Sequence, residues 1–163
     1  MKRLYSVGVA AILATMSAAA FSQGAPAGPP NPEAQATAAI LTRQGLFKLI
    51  SNQNGPIGAM LRNQRDFDAA LVAKNASRIA VLADMIPELF VNDTRQFKTT
   101  KTLALDGIWS SQADFKAKAD GLNKAATALA DAAKTGDKAN TLKAAAEIGK
   151  ACGACHDNYR AKP

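Results

Sequence analysis

The densest chemistry in the chain is Cys152-Gly153-Ala154-Cys155-His156, near its C-terminus. This segment holds both cysteines and the one histidine of the 163 residues. Residues three and four apart share a helix face, so two thiols and an imidazole point the same way. C-x-x-C-H is the attachment signature of a c-type haem. The thiols suit thioether links to the two vinyl groups of one porphyrin, and the neighbouring imidazole then reaches the iron from the proximal side. Gly153 and Ala154 keep the turn small, so a porphyrin edge can approach the backbone.

Two other chemistries compete for these residues. A disulfide-forming redox pair needs no following histidine and prefers a βαβ setting. A structural zinc site wants four ligands, and two cysteines and one histidine fall short. A lone helical histidine is usually a packing or surface residue, but that rule does not extend to one that follows C-x-x-C. One covalently bound haem c is therefore the expected cofactor, with Cys152 and Cys155 as tethers and His156 as the metal ligand.

The N-terminus fits this chemistry. Lys2 and Arg3 precede the short apolar run Val7–Ala14, and small residues follow at 17–22. That is the layout of a secretory signal peptide, cleaved after Ala20 or Ser22. The run is too short to span a bilayer, which takes about 20 apolar residues. The expected organisation is a signal peptide at 1–22, a Gly/Pro-rich linker at 23–31 and one domain at 32–163. The mature chain, about 140 residues, is expected to be soluble and periplasmic, with no membrane partner. The formal net charge is +7, falling to about +5 without Lys2 and Arg3. The positive residues are scattered and only 6% of residues are aromatic, which excludes a nucleic-acid surface.

Helical periodicity dominates the rest. Asn31 reads as an N-cap and Pro32 as the first residue of a helix to Arg62, with Ala36, Ile40, Phe47 and Ile50 inward and a bend or break expected at Gly55-Pro56. A second helix is expected from Asp66 to Phe90, kinked at Pro87. Its apolar side would be Leu71, Ile79, Val81, Leu82, Met85 and Ile86. Asn92–Gly107 is polar and irregular. Ser111 and Asp114 resemble a capping box for a third helix, which buries Phe115, Ala119, Leu122, Ala126 and Leu129 and ends at Thr135-Gly136. Asp137 caps a fourth, from about Lys138 to Arg160, with Leu142, Ala145, Ile148, Cys152 and His156 on one side. Alanine is abundant, which favours helix, and no strand pattern appears. The expected fold is all-α, an antiparallel four-helix bundle.

A four-helix bundle that ends in Cys152-Gly-Ala-Cys-His156-Asp157-Asn158-Tyr159-Arg160 resembles the cytochrome c′ family, the class II c-type cytochromes. Arg43-Gln44, and Ile108-Trp109 followed by Phe115-Lys116, also resemble family features. The likeness covers essentially the whole mature chain. It implies that Arg43 and Gln44 approach the haem propionates, that Arg160 lies near the proximal pocket, and that Phe47 faces the distal side. Phe47 lies one turn beyond Arg43, on the same face.

A phenyl ring cannot ligate iron. The resemblance then implies a five-coordinate, high-spin haem that takes nitric oxide or carbon monoxide, with or without an electron-transfer role. The alternative is a six-coordinate, low-spin electron carrier in which Met60 or Met85 reaches the iron. Family likeness further implies a homodimer formed through the first two helices. No second histidine and no paired carboxylates suggest acid–base catalysis, so an enzyme is not expected.

Overall fold

The computed structural model describes residues 31–162, and the signal-peptide and linker readings, Asn31 apart, lie outside them. Every named element in the described chain is helical: α1 (Pro32–Leu61), α2 (Ala69–Asp84), α3 (Ile86–Leu89), α4 (Gly107–Ser110), α5 (Gln112–Lys134) and α6 (Lys138–Tyr159). The four long helices form the expected bundle. α2 lies along α5, α5 along α6 and α1 along α2, while α1 meets α6 more sparsely. No helix among the described residues is long and apolar enough to cross a membrane.

Three of the four long helices start on local chemistry. Asn31 caps α1 through its side-chain oxygen, which accepts from the Glu33 N–H at 3.0 Å, with Pro32 at the first position. Asp68 caps α2 and Asp137 caps α6 in the same way. Gly136, at φ 76°, closes the turn between α5 and α6 in the left-handed region that glycine enters freely.

Four expectations are corrected. The break expected at Gly55-Pro56 is absent, α1 being helical through Pro56. Nearby, the buried Asn75 side chain donates to the Gln53 carbonyl at 3.0 Å, tying that turn to α2. The second helix is shorter than expected and divides at Met85, because Pro87 cannot donate to a carbonyl four residues back. Its inner face is Val72, Ala76, Ile79 and Ala83, whereas Val81 and Met85 are exposed; from Ile79 they lie about half and about a third of a turn round the helix. Ser111 does occupy the N-cap of α5 but makes no side-chain cap bond. Its own N–H is already bonded to the Gly107 carbonyl at 2.9 Å, and the Asp114 carboxylate is engaged by Tyr159.

All five residues expected inward on α5 are buried, together with Ala145 and Ile148 of α6. Leu129 and Ile148 are at most 1% exposed. Truncating such a buried Leu or Ile to Ala typically costs about 2–5 kcal/mol.

Candidate haem site

The last two turns of α6 carry Cys152, Cys155 and His156. Both thiols are half-buried and rest against the edge of the hydrophobic core, while His156 is exposed. Burial pushes both thiols above their ordinary pKa. At Cys155, Lys118 opposes that rise, and Cys152 and Asp114 add to it. Reactive thiolates sit at helix N-termini or beside cations that lower their pKa. This pair lies toward the negative end of α6 instead, and burial disfavours its thiolates, which argues against a redox pair. Among the described residues no three His, Cys, Asp or Glu side chains converge as a metal cage. Two neutral thiols and one imidazole fit a group that brings its own metal and most of that metal's ligands, as a porphyrin does.

Though exposed by surface area, His156 is partly desolvated by the surrounding chain, which lowers its pKa; Arg160 acts in the same direction and Asp157 against it. The neutral ring, which is the ligating form, is favoured. Arg160 Nη1 stands 3.5 Å from His156 Nδ1, at the outer limit of a hydrogen bond. A guanidinium has no acceptor, so Arg160 cannot receive a proton from an imidazole that binds through Nε2. Its influence on His156 is electrostatic.

On α1, Arg43 is not a solvated surface charge: it is only 4% exposed. Nε donates to the Leu89 carbonyl at 2.7 Å, Nη1 to Thr94 Oγ1 at 2.8 Å and Nη2 to the Asn92 carbonyl at 2.6 Å. The guanidinium carbon lies 4.6 Å from the Phe90 ring centroid. Burial lowers the Arg43 pKa, and Asp93 partly restores it. Gln44 donates to the Lys101 carbonyl at 2.8 Å. Both residues therefore hold the long connection after α3 against α1.

Phe47 is partly buried, its ring 6.3 Å from that of Phe90. Phe90 in turn meets Phe115 at 5.0 Å, and Phe115 meets Tyr159 at 5.3 Å. One aromatic row thus links α1 to the end of α6. Met60 is buried in the core, 13 residues beyond Phe47 and so about 20 Å further along α1. Trp109 packs in α4, its indole N–H donating to the Phe90 carbonyl at 3.0 Å.

Several of these residues escape sequence reasoning. Phe90 and Thr94 have no motif of their own. The Asp114–Tyr159 bond joins positions 45 residues apart. The antiparallel bridge Ala104–Arg160 was also not foreseen, because the 92–107 segment has no strand pattern. The closeness of an acidic residue at the start of α5 to a tyrosine at the end of α6 was the one available signal, and it requires knowing which helices are neighbours.

Fold and site together define a four-helix-bundle c-type haem protein. The chain belongs to the cytochrome c′ family, whose family model, described as cytochrome c′, matches residues 38–160. It carries a covalently attached haem c, as that family does. It is 36% identical to a cytochrome c-554 of Cereibacter sphaeroides over 121 residues, 74% of this chain and 78% of the relative. Among solved structures, a cytochrome c′ from Shewanella frigidimarina is 38% identical with a TM-score of 0.71, covering 78% of this chain and 97% of the other. A ferrous cytochrome c′ variant from Alcaligenes xylosoxidans with bound nitric oxide is 28% identical with a TM-score of 0.67, covering 77% and 94%.

Proposed function

We propose that this protein is an exported, non-catalytic cytochrome c′ that binds small diatomic gases at an open distal site. In this reading Cys152 and Cys155 tether the haem, His156 is the iron ligand and residues 32–163 form the haem domain. The signal-peptide pattern at 1–22 supports export to the periplasm.

The observation that carries the reading is Phe47. The resemblance to the family puts it on the distal side; it packs on Phe90 and offers a metal no ligand. Neither methionine competes well. Met60 lies far along α1, and Met85 is exposed on the outside of the bundle. The nitric oxide complex of the Alcaligenes xylosoxidans relative supports gas as the ligand class.

When bound, the haem supplies the iron at which a gas or an electron is taken up. The chain's own residues do the rest. Cys152 and Cys155 fix the group to α6. His156 presents a neutral imidazole. Phe47 and Phe90 keep water from the apolar side, so that small neutral ligands are favoured over polar ones. Arg43 and Gln44 hold the connection that walls the pocket. The three Arg43 bonds engage three of its five N–H groups.

The test is the absorption spectrum of the holoprotein, ferric and then ferrous, with and without carbon monoxide. A broad ferrous visible band that changes on adding carbon monoxide is expected. Sharp, split bands that carbon monoxide leaves unmoved would establish a sixth protein ligand and the electron-carrier reading instead.

A further inference from the structure

We propose that Tyr159 and Asp114, with the segment 103–105, clamp the last turn of α6 and thereby position His156. This rests on the attachment reading above and extends it to residues outside Cys-x-x-Cys-His.

The need for a clamp follows from where the ligand sits. α6 ends at Tyr159, so His156 lies in its final turn. The last carbonyls of a helix have no intrahelical partners, and helix ends fray. A metal-bound histidine usually donates its second ring N–H to a carboxylate or carbonyl that orients it. Here the side chain that approaches the ring is Arg160, which cannot accept. The placement of the imidazole is left to the backbone that carries it.

That backbone is held from three directions. The Arg160 N–H closes the turn on the His156 carbonyl at 3.2 Å. The Leu105 N–H donates to the Tyr159 carbonyl at 3.0 Å, and the Ala161 N–H to the Leu103 carbonyl at 2.8 Å, forming the antiparallel bridge. The Tyr159 ring is 7% exposed and edge-on to Phe115, and its hydroxyl donates to Asp114 Oδ2 at 2.6 Å. A bond this short to a carboxylate is of the strong, charge-assisted kind. Asp114 stands in the first turn of α5, so the bond ties the ligand-bearing end of one helix to the anchored start of its neighbour. Tyr159 acts on His156 through the backbone; it is a positioning residue.

The experiment compares the wild-type holoprotein with Tyr159→Phe, which keeps the ring, and Asp114→Asn. The carboxylate of Asp114 is largely exposed, so the second variant folds even if the first does not. Two quantities are read: amide hydrogen exchange at residues 156–160, and the iron–imidazole stretching band in the ferrous resonance Raman spectrum. Tyr159→Phe is expected to speed exchange there at least about tenfold, the scale of a lost hydrogen bond to a charged group. It also shifts and broadens the iron–imidazole band. Asp114→Asn moves both in the same direction by less, since an amide oxygen still accepts. An iron–imidazole band identical to wild type in both variants, with only stability lowered, overturns the clamp and leaves Tyr159 a core residue. If the wild type itself shows no covalent haem mass or no iron–imidazole band, the attachment reading falls and the clamp falls with it.

Discussion

Arg43 shows most clearly how one side chain can carry structure in a haem domain. Its charge is buried, yet its nitrogens meet two carbonyls and a hydroxyl from residues 89–94, and its face meets Phe90. Removing it leaves the buried Thr94 hydroxyl without this partner, and a stranded buried group costs about 1–3 kcal/mol. Arg43→Leu is therefore expected to lower stability by about 1–3 kcal/mol, read from the urea midpoint of the holoprotein. In our reading Phe47 carries the functional side of the same helix face. Phe47→Met places a thioether where the phenyl ring stands. The expected result is a split ferrous visible band and a lost response to carbon monoxide; an unchanged spectrum would show that position 47 does not face the iron.

The caps and clamps of single helices give sharper contrasts. Asp137 accepts from the Asn140 N–H at 3.0 Å, whereas Ser111 makes no side-chain cap bond. Asp137→Ala should cost about 1 kcal/mol and Ser111→Ala almost nothing, measured by thermal melts. A true capping box at Ser111 would make the two losses equal. At the other end of α6, the bond to Asp114, with burial adding, raises the Tyr159 pKa to about 12. An unfolded tyrosine ionises near 10. The folded state thus favours the neutral phenol, and its contribution is whole below pH 10 and is lost as pH rises to about 12. Chemical denaturation at stepped pH should show a fall across that window that is absent in Tyr159→Phe.

For the whole molecule, the surface left by the bundle is informative. Leu41 and Leu49 on α1 are 55% and 53% exposed, and Val81 and Met85 on α2 are 66% and 42% exposed. Those apolar side chains are more than a single buried stripe requires. They support our reading of a homodimer formed through the first two helices, in keeping with the family. Sedimentation should report a dimer for the mature protein, and Leu49→Glu should yield a monomer with an unaltered haem spectrum. A wild-type monomer at all concentrations would end that reading.

Much of this was legible in the sequence because it depends on local spacing. The order C-x-x-C-H on one helix face determined the cofactor chemistry, and the 3.6-residue period determined an all-helical chain and the buried face of α5. Caps at Asn31 and Asp137 were local as well. The tertiary structure decided what depends on neighbours. It turned Val81 and Met85 outward, because the inner face of α2 is set by where α5 lies. It bonded Arg43, which the resemblance had assigned only to the haem propionates, to residues 89–94. It paired Asp114 with Tyr159 rather than with Ser111, and joined 103–105 to 159–161. Such contacts link residues tens of positions apart. A linear pattern encodes which way a side chain points on its own helix, whereas packing alone settles what it meets there.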